Sequence, residues 1–359
     1  MKNLNQFLIK TALTFITLTL LSYSLKLVLT QFNQAQHDEL QALKKSLAYV
    51  QPHPSPRPTF SLPQIQTIEQ PSTTVTHSNI TGNVNIYLPL IITFYRNPKK
   101  GLGAAYPAVC QDMNSLHTSW YFNWNVYPDP NCSQFDTKFI PMIFDGNNML
   151  EPYFSEAIKQ AQVSGWLMGF NEPNLPSVGN VSPEDGAIYW KHLEEVALPL
   201  GIKLISPAPS PLDIGQTDYY SQGSQWIWEM SEAYQRQNKG RKPHFDALAW
   251  HIYHYDPKVI LNFLNKRHQE ALARGYNAPF WVTEYSGSCS YIGPDNSVNE
   301  TIMTQITPWL NQTPWIDRYA WFASRFPTED TKWDQWRNCL MLEPNTGNPN
   351  KLGQMYREY

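Results

Sequence analysis

The sequence predicts an α/β protein of the (β/α)8, or TIM-barrel, class, built as a single domain behind an N-terminal extension. Two observations carry this prediction. Eight short apolar runs alternate with amphipathic stretches between residues 101 and 324. The runs are continuously apolar, which is typical of parallel strands that helices cover on both faces of a sheet. Eight such units over about 250 residues fit a closed barrel better than an open doubly wound sheet.

The eight predicted strands follow one another along the chain with room for a helix between most of them. In order they are GLGAAYPAV (101–109), TSWYFNW (118–124), FIPMIFD (139–145), WLMGFNE (166–172), KLISPAP (203–209), DALAWHIY (246–253), FWVTEY (280–285) and RYAWFAS (318–324).

Several of the intervening helices have clear start and stop signals. Ser182 is predicted to be an N-cap, because Pro183 suits the first helical position and Asp185 lies three residues further on. This helix is expected to end near Gly201. Two further helices carry comparable signals. They are bounded by Asp256–Pro257 and Gly275, and by residues 223–240.

Residues 1–30 have the pattern of a secretory signal. Two lysines flank or precede the apolar run 11–21, and the small residues Ser22 and Ser24 follow at the spacing of a cleavage site. Because Lys26 interrupts the apolar stretch, both a cleaved signal peptide and an uncleaved membrane anchor fit. Either outcome implies an extracytoplasmic protein, secreted or attached to the membrane through this segment alone.

Residues 31–82 are predicted to form a disordered linker, and residues 83–359 the barrel domain. The stretch 51–82 contains six prolines and only two charged residues other than histidine. Such a composition buries too little apolar surface to offset the loss of chain entropy. The apolar stretch 85–95 fits either a strand that closes the base of the domain or a packing segment.

The composition argues against a nucleic-acid-binding protein. The net charge is -3, and the chain has no block of lysines and arginines. Aromatic residues reach 14%, with 13 tryptophans and 20 tyrosines, whereas charged residues make up only 16%. This balance favours a protein that uses aromatic rings for packing and for stacking on flat ligands such as sugars.

Two carboxylates stand where a barrel places its catalytic groups, at the C-terminal ends of strands. Glu172 ends the fourth run and Glu284 ends the seventh. Glycoside hydrolysis needs such a pair: one carboxylic acid protonates the leaving oxygen, and one carboxylate attacks the anomeric carbon. The alternative is a pair of structural carboxylates that bind backbone amides.

The motifs GFNEPN, ISPAPS, WHIY and WVTEY, in this order and spacing, resemble the glycosyl hydrolase catalytic core of glycoside hydrolase family 128. The resemblance extends to KKGLG, SWYFNW, FIPMIF, RYAWF and LGQMY and covers residues 99–359. It implies a (β/α)8 endo-β-1,3-glucanase of a retaining clan, with β-glucan as substrate. In that comparison Glu172 matches the acid/base and Glu284 matches the nucleophile.

Four more residues are candidates for binding substrate. Asn171 matches an asparagine that bonds the sugar 2-hydroxyl in the clan, and capping of the turn is its structural alternative. His251 and Tyr253 are expected to orient Glu284 or the substrate, although a histidine here also fits a satisfied core position. Tyr285, the last residue of WVTEY, completes this group.

Trp124 and Trp321 are candidates for stacking on glucosyl rings, because they end the second and eighth runs. Core filling is the alternative for each of them. Trp120, Trp281 and Met142 are interpreted as barrel packing.

The four cysteines allow three fully paired connectivities. The pairs Cys110–Cys132 and Cys289–Cys339 are favoured, because each would join neighbouring loops of the barrel. Free buried thiols are the alternative.

No metal and no cofactor is predicted. Residues three apart on a strand, such as His251 and His254, point to opposite faces and do not chelate. GLGAAY lacks the third glycine of a dinucleotide fingerprint. Two other functions stay open: action on another β-glycan, such as mannan or mixed-linkage glucan, and a catalytically silent glycan-binding surface module.

Overall fold

The computed structural model describes most of the barrel domain. The described residues are 96–105, 108–211, 223–287, 289, 296–326 and 336–359. The predicted signal or anchor segment, the linker and the stretch 85–95 lie outside them. By its internal contacts the chain divides into residues 1–91 and 92–359, and all described residues belong to the second unit.

Seven parallel strands lie in the described residues. They are β1 (Lys100–Gly103), β2 (Trp120–Phe122), β3 (Trp166–Met168), β4 (Lys203–Ile205), β5 (Leu248–Tyr253), β6 (Phe280–Ser286) and β7 (Ile316–Trp321). Five of them form one sheet in the order β2-β1-β7-β6-β5, and β3 pairs with β4. Because β1 pairs with β7 as well as with β2, the first and last strands are neighbours, as closure of a barrel requires.

Isolated parallel bridges connect the two sheets into a ring. The bridged pairs are Tyr121 with Phe139, Met142 with Met168, and Ile205 with Ala247. The third apolar run therefore lies between β2 and β3, and β4 adjoins the residue before β5. The third run forms no regular strand because Pro141 has no N–H to donate. With this run as the eighth segment, the predicted (β/α)8 barrel is confirmed.

Seven α-helices lie in the described residues. They are α1 (Val109–Leu116), α2 (Tyr153–Ser164), α3 (Pro183–Ala197), α4 (Trp226–Gln237), α5 (Pro257–Ala273), α6 (Ser297–Gln312) and α7 (Lys351–Glu358). The predicted start of α3 is confirmed, since the Ser182 side chain accepts a hydrogen bond from the backbone N–H of Asp185. A 3-10 turn extends α3 to Gly201, whose φ of 74° ends it.

The strand predicted for the first apolar run, residues 101–109, is longer than the strand in the structure. β1 ends at Gly103, and Val109, the last residue of the run, begins α1. Val109 is buried in the helix as completely as a strand residue would be. A short apolar run looks the same in a buried strand and in the first turn of a buried helix, so the sequence did not separate them.

The barrel interior is apolar, and at its N-terminal end four residues form what we call the base cluster: Trp120, Trp166, Trp281 and Arg318. The Arg318 guanidinium lies 4.2 Å from the ring centroid of Trp281, 5.4 Å from Trp166 and 5.7 Å from Trp120. Trp120, Trp281 and Met142 belong to the interior core, as the sequence predicted.

The structure contains both favoured disulfides, Cys110–Cys132 and Cys289–Cys339. Their Cα atoms lie 5.4 Å and 4.8 Å apart. In the part of the chain that the structure describes, no helix is both long and apolar enough to cross a membrane.

Candidate active site

Glu172 lies on a turn that follows β3 and is fixed by its backbone. Its N–H donates to the carbonyl oxygen of Ala208 (2.9 Å), and the N–H of Asn171 donates to the carbonyl oxygen of Phe144 (2.9 Å). Glu172 has a φ of 41°, a left-handed conformation that costs free energy for a residue with a β-carbon. The neighbouring chain segments therefore hold Glu172 in an orientation that it would not adopt by itself.

Glu284 lies within β6, at a point where the strand carries one extra residue. Between the pairs Val282–Tyr319 and Tyr285–Trp321, β6 advances three residues while β7 advances two. The register against β5 shifts at the same place. Such a bulge reverses the alternation of side chains that follow it. Glu284 thereby faces the same interior as Trp281, three residues earlier, and stands directly opposite His251 on β5.

His251 joins the two carboxylates. Its Nδ1 lies 3.1 Å from Oε1 of Glu172 and 3.4 Å from Oε2 of Glu284. The imidazole is fully buried, whereas the Glu172 and Glu284 side chains are 15% and 6% exposed. Two carboxylates from opposite sides of the barrel mouth therefore converge on a single ring nitrogen.

Two further donors bind Glu284. The indole Nε1 of Trp124 donates to Oε1 (2.7 Å), and the hydroxyl of Tyr253 donates to Oε2. Burial, the largest cause, raises the pKa of Glu284, and the charge of Glu172 raises it further. His251 and the hydrogen bonds from Tyr253 and Trp124 lower it. The net pKa of Glu284 is raised. The donors thus stabilise the ionised form of a carboxylate that its buried position disfavours.

The pKa values of the two neighbouring side chains, His251 and Tyr253, are also raised. Burial lowers the pKa of His251, but the charges of Glu284 and Glu172 outweigh burial and raise it. Burial and the same two carboxylates raise the pKa of Tyr253 well above its usual value. The nearby carboxylates therefore favour the protonated form of both side chains.

Asn171 is 5% exposed, and its Oδ1 has no hydrogen-bond partner among the described residues. A buried amide oxygen without a partner is costly unless a ligand or solvent satisfies it. Since Asn171 immediately precedes Glu172, this oxygen is a fit acceptor for a hydroxyl group at the site.

The predictions that Tyr285 and Trp321 bind substrate are wrong. Tyr285 is fully buried and its hydroxyl lies 2.8 Å from Oγ1 of Thr307 on α6, because the bulge that turns Glu284 inward turns Tyr285 outward. Trp321 pairs with Tyr285 across the ladder and is also fully buried, with Nε1 donating to the carbonyl oxygen of Cys339. Both rings fill the layer between strands and helices.

Phe322 is the aromatic residue that sequence reasoning missed at the barrel mouth. It is partly exposed and packs edge-on against Trp124 and Tyr253, at centroid distances of 5.8 Å and 5.7 Å. The period-2 alternation of a strand places Phe322 on the same face as Ala320, but only the structure shows that Ala320, and therefore this face, belongs to the interior.

Glu172, His251 and Glu284 each offer a ligand-type atom, and these three atoms lie within 4.8 Å of one another. Their composition would suit a divalent cation. The hydrogen bonds of His251, Trp124 and Tyr253 already account for the convergence of both carboxylates. That the site uses no metal stays a prediction.

A family model described as glycosyl hydrolase catalytic core matches residues 101–356. No curated protein matches the chain. Three solved structures assigned to glycoside hydrolase family 128 resemble the fold. A subgroup II endo-β-1,3-glucanase from Pseudomonas viridiflava is 24% identical over 73% of this chain and 96% of that one, with a TM-score of 0.57.

The other two belong to different subgroups. A subgroup III curdlan-specific exo-β-1,3-glucanase from Blastomyces gilchristii, in complex with glucose, is 19% identical over 74% of this chain and 99% of that one, with a TM-score of 0.56. A subgroup I endo-β-1,3-glucanase from Amycolatopsis mediterranei, in complex with laminaripentaose, is 22% identical over 72% and 98%, with a TM-score of 0.55. At these identities the likeness establishes a shared fold.

Proposed function

The chain belongs to the glycosyl hydrolase catalytic core family and is a glycoside hydrolase, and from this premise we propose that it cleaves β-1,3-glucan chains internally, outside the cytoplasm and with retention of anomeric configuration. One observation carries the proposal. An oxygen of Glu172, on the turn after β3, and an oxygen of Glu284, on β6, lie within 4.8 Å of each other, and both carboxylates contact His251 Nδ1.

The short separation of the carboxylates supports retention. Retaining enzymes hold their two carboxyl groups roughly 5–5.5 Å apart, whereas inverting enzymes leave about 6.5–9.5 Å for a water molecule between nucleophile and sugar. One oxygen of Glu172 and one oxygen of Glu284 lie within 4.8 Å of each other, which fits the retaining spacing better than the inverting one.

The contacts of each carboxylate support the division of roles. Glu284 is the better candidate for the nucleophile, because Trp124 and Tyr253 donate hydrogen bonds to it, and both bonds stabilise its ionised form. Glu172 is the better candidate for the acid/base, because its side chain is 15% exposed, against 6% for Glu284, and so is more accessible to substrate and water.

In the first step, a carboxylate oxygen of Glu284 attacks the anomeric carbon while Glu172 donates its proton to the glycosidic oxygen. The glycosidic bond breaks, the shortened chain leaves with that proton, and a covalent glycosyl ester forms on Glu284. His251, whose Nδ1 lies 3.1 Å from Oε1 of Glu172, stabilises the negative charge that Glu172 acquires.

In the second step, Glu172 removes a proton from water, and the resulting oxygen attacks the anomeric carbon from the vacated side. The ester bond to Glu284 breaks, which restores its carboxylate and leaves Glu172 protonated for the next cycle. Two inversions at one carbon give net retention.

Separate observations support the substrate and the location. The family 128 structures with this fold are named endo- or exo-β-1,3-glucanases, and one holds laminaripentaose. The oxygen of Asn171 that lacks a partner supports a hydrogen bond from the sugar 2-hydroxyl. The signal-like N-terminus and the two disulfides support export to an oxidising compartment.

The test combines product analysis with one substitution. The wild-type enzyme is incubated with β-1,3, β-1,4 and mixed-linkage glucans and with mannan, the products are sized, and the anomer formed first is identified by NMR. We expect β-1,3-glucan to be cut into oligosaccharides whose new reducing ends are β. Glu284→Gln should reduce the rate by more than about 10⁴-fold.

The matched control is Glu195→Gln, an exposed glutamate on α3 that pairs with Lys191 on the surface. It should keep wild-type activity. Activity of Glu284→Gln within tenfold of wild type would sink the nucleophile assignment, and an α product would sink retention. Binding of glucan without release of reducing ends would instead favour the silent binding module.

A further inference from the structure

We propose that Trp124 is a positioning residue for the nucleophile: its indole N–H holds Oε1 of Glu284 so that the opposite oxygen keeps one orientation toward the sugar. The inference rests on the proposed role of Glu284. It assigns Trp124 a task different from the ring stacking that its sequence position suggested.

The hydrogen-bond pattern at Glu284 is divided between its two oxygens. Trp124 donates to Oε1 at 2.7 Å, and Tyr253 donates to Oε2, close to His251 Nδ1. A carboxylate that is bonded at one oxygen alone can rotate about its last side-chain torsion, which is a soft one. With Trp124 and Tyr253 on separate oxygens, the plane of the carboxylate is fixed.

The surrounding residues hold the indole in this place. Trp124 has a φ of 55°, in the left-handed region that bulky residues avoid. Phe122 and Phe322 pack edge-on against the ring, at centroid distances of 4.9 Å and 5.8 Å. A backbone conformation that costs free energy at this position is expected where function requires the side chain direction.

Gly103, the last residue of β1, makes room for the ring. A β-carbon at this position would lie 2.9 Å from Cη2 and 3.2 Å from Cζ2 of Trp124. Both distances are shorter than an ordinary van der Waals contact. The absence of a side chain at Gly103 therefore lets the indole reach Glu284 across the mouth.

The chemistry of the two groups matches. The indole nitrogen is only a donor and the ionised carboxylate is only an acceptor, so the bond favours the charged form of Glu284. Loss of this donor should raise the pKa of Glu284, since a hydrogen bond to the ionised form lowers it. Sugar stacking by the ring face would have no such effect.

The experiment uses Trp124→Phe, which keeps an aromatic ring and removes the N–H. We expect kcat/KM on β-1,3-glucan to fall about 10- to 100-fold, the value of a hydrogen bond to a charged group. The loss should lie in kcat. The acidic limb of the pH profile should move up by about one pH unit, because it reports ionisation of the nucleophile.

The matched control is Trp166→Phe, the same substitution in the base cluster at the other end of the barrel. It should leave the acidic limb at its wild-type position. In parallel, the carboxyl carbon of Glu284 is titrated by NMR in ¹³C-labelled wild-type and Trp124→Phe protein, and Glu284→Gln identifies the signal. This readout requires no turnover, so it tests Trp124 even if the proposed substrate is wrong.

The outcomes separate the two proposals. If the wild-type enzyme does not cleave β-1,3-glucan, the proposed function is contradicted. If the wild-type enzyme is active, but Trp124→Phe has the wild-type acidic limb and the wild-type titration of Glu284, the role of Trp124 is overturned. A higher KM for long chains with an unchanged kcat would indicate stacking instead.

A second variant covers the case in which Trp124→Phe does not fold. Gly103→Ala keeps the N–H but pushes the ring away from β1. It should raise the acidic limb in the same direction by a smaller amount, and an unmoved limb would again count against the proposal.

Discussion

The two ends of the barrel both surround a charged side chain with aromatic residues, but they use opposite parts of the rings. At the base cluster, the Arg318 cation lies over the faces of three indoles, the nearest centroid at 4.2 Å. At the mouth, the Glu284 anion meets the N–H of Trp124 and the O–H of Tyr253 at ring edges. Ring faces are electronegative and ring edges electropositive, so each arrangement suits its charge.

The difference explains which end performs chemistry. A guanidinium stays charged at every pH that a folded protein tolerates, so the base cluster has one state and contributes packing. The carboxylates at the mouth lie close to His251 and to each other, and their protonation can change during a reaction. Substitutions at the base should therefore change stability, and substitutions at the mouth should change rates and their pH dependence.

The largest expected effect at the mouth, beyond loss of the nucleophile, is that of Glu172→Ala. Removing the general acid should lower the rate on β-1,3-glucan by about 10²- to 10⁴-fold. An aryl β-glucoside with an acidic phenol as leaving group needs no proton, so its first step should be nearly normal. Added azide should then restore turnover and give a β-glucosyl azide, because a small anion replaces the water that Glu172 can no longer activate.

Glu195→Ala on the surface of α3 serves as the control and should behave as wild type. Equal losses on the glucan and on the activated glucoside, with no azide product, would argue that Glu172 has a structural role. Glu284 would then be the one carboxylate of this pair with a catalytic role at the mouth.

The sequence was sufficient for the outline of the mouth. The position of Glu172 and Glu284 at the ends of apolar runs follows from the rule that barrels gather their functional groups at the C-terminal ends of strands. Helix caps such as Ser182 were equally readable, because a local hydrogen bond within four residues determines them.

The orientation of the side chains in β6 and β7 could not be predicted from the sequence. Whether Tyr285 or Glu284 faces the interior depends on one extra residue in β6, and a bulge is defined by pairing with strands that are distant in sequence. Without that register, Trp321 looked like a residue of the mouth. The task of Trp124 was hidden for a related reason, since its left-handed φ appears only in the folded backbone.

An intermediate effect is expected at the base, from Trp281→Ala. Trp281 is fully buried, its ring lies against Trp120 and Trp166, and it carries the closest contact to Arg318. The cavity and the lost contacts should lower the free energy of unfolding by about 3–5 kcal/mol, measured by denaturant titration. At a temperature where the variant is folded, its kcat/KM should fall on the acidic and basic sides at the same pH values as in the wild-type enzyme.

Trp281→Phe is the matched variant and should lose less stability, because it fills most of the same space. A shifted acidic limb in folded Trp281→Ala would contradict the separation of the two ends, since it would mean that packing at the base controls the ionisation of Glu284.

The smallest expected effect also belongs to the base and concerns stability as a function of pH. Lys100 begins β1, is 1% exposed, and donates through Nζ to the carbonyl oxygens of Tyr356 (2.9 Å) and Arg357 (3.2 Å) on α7. Burial lowers its pKa from 10.5 to about 8, and the charge of Glu358 opposes this. Between these two values the unfolded chain binds more protons than the folded one, so stability should rise with pH through this window.

For Lys100→Met, the stability curve should lose this rise. We expect the free energy of unfolding of wild type to gain on the order of 1–2 kcal/mol relative to Lys100→Met between pH 8 and pH 9.5, by denaturant titration in matched buffers. Lys191→Met, an exposed lysine on α3, should follow the wild-type curve. Parallel curves for wild type and Lys100→Met would contradict the lowered pKa of Lys100. They would also mean that Lys100 stays charged in the folded protein between pH 8 and pH 9.5, so that its charge, unlike those of the mouth, does not respond to its surroundings.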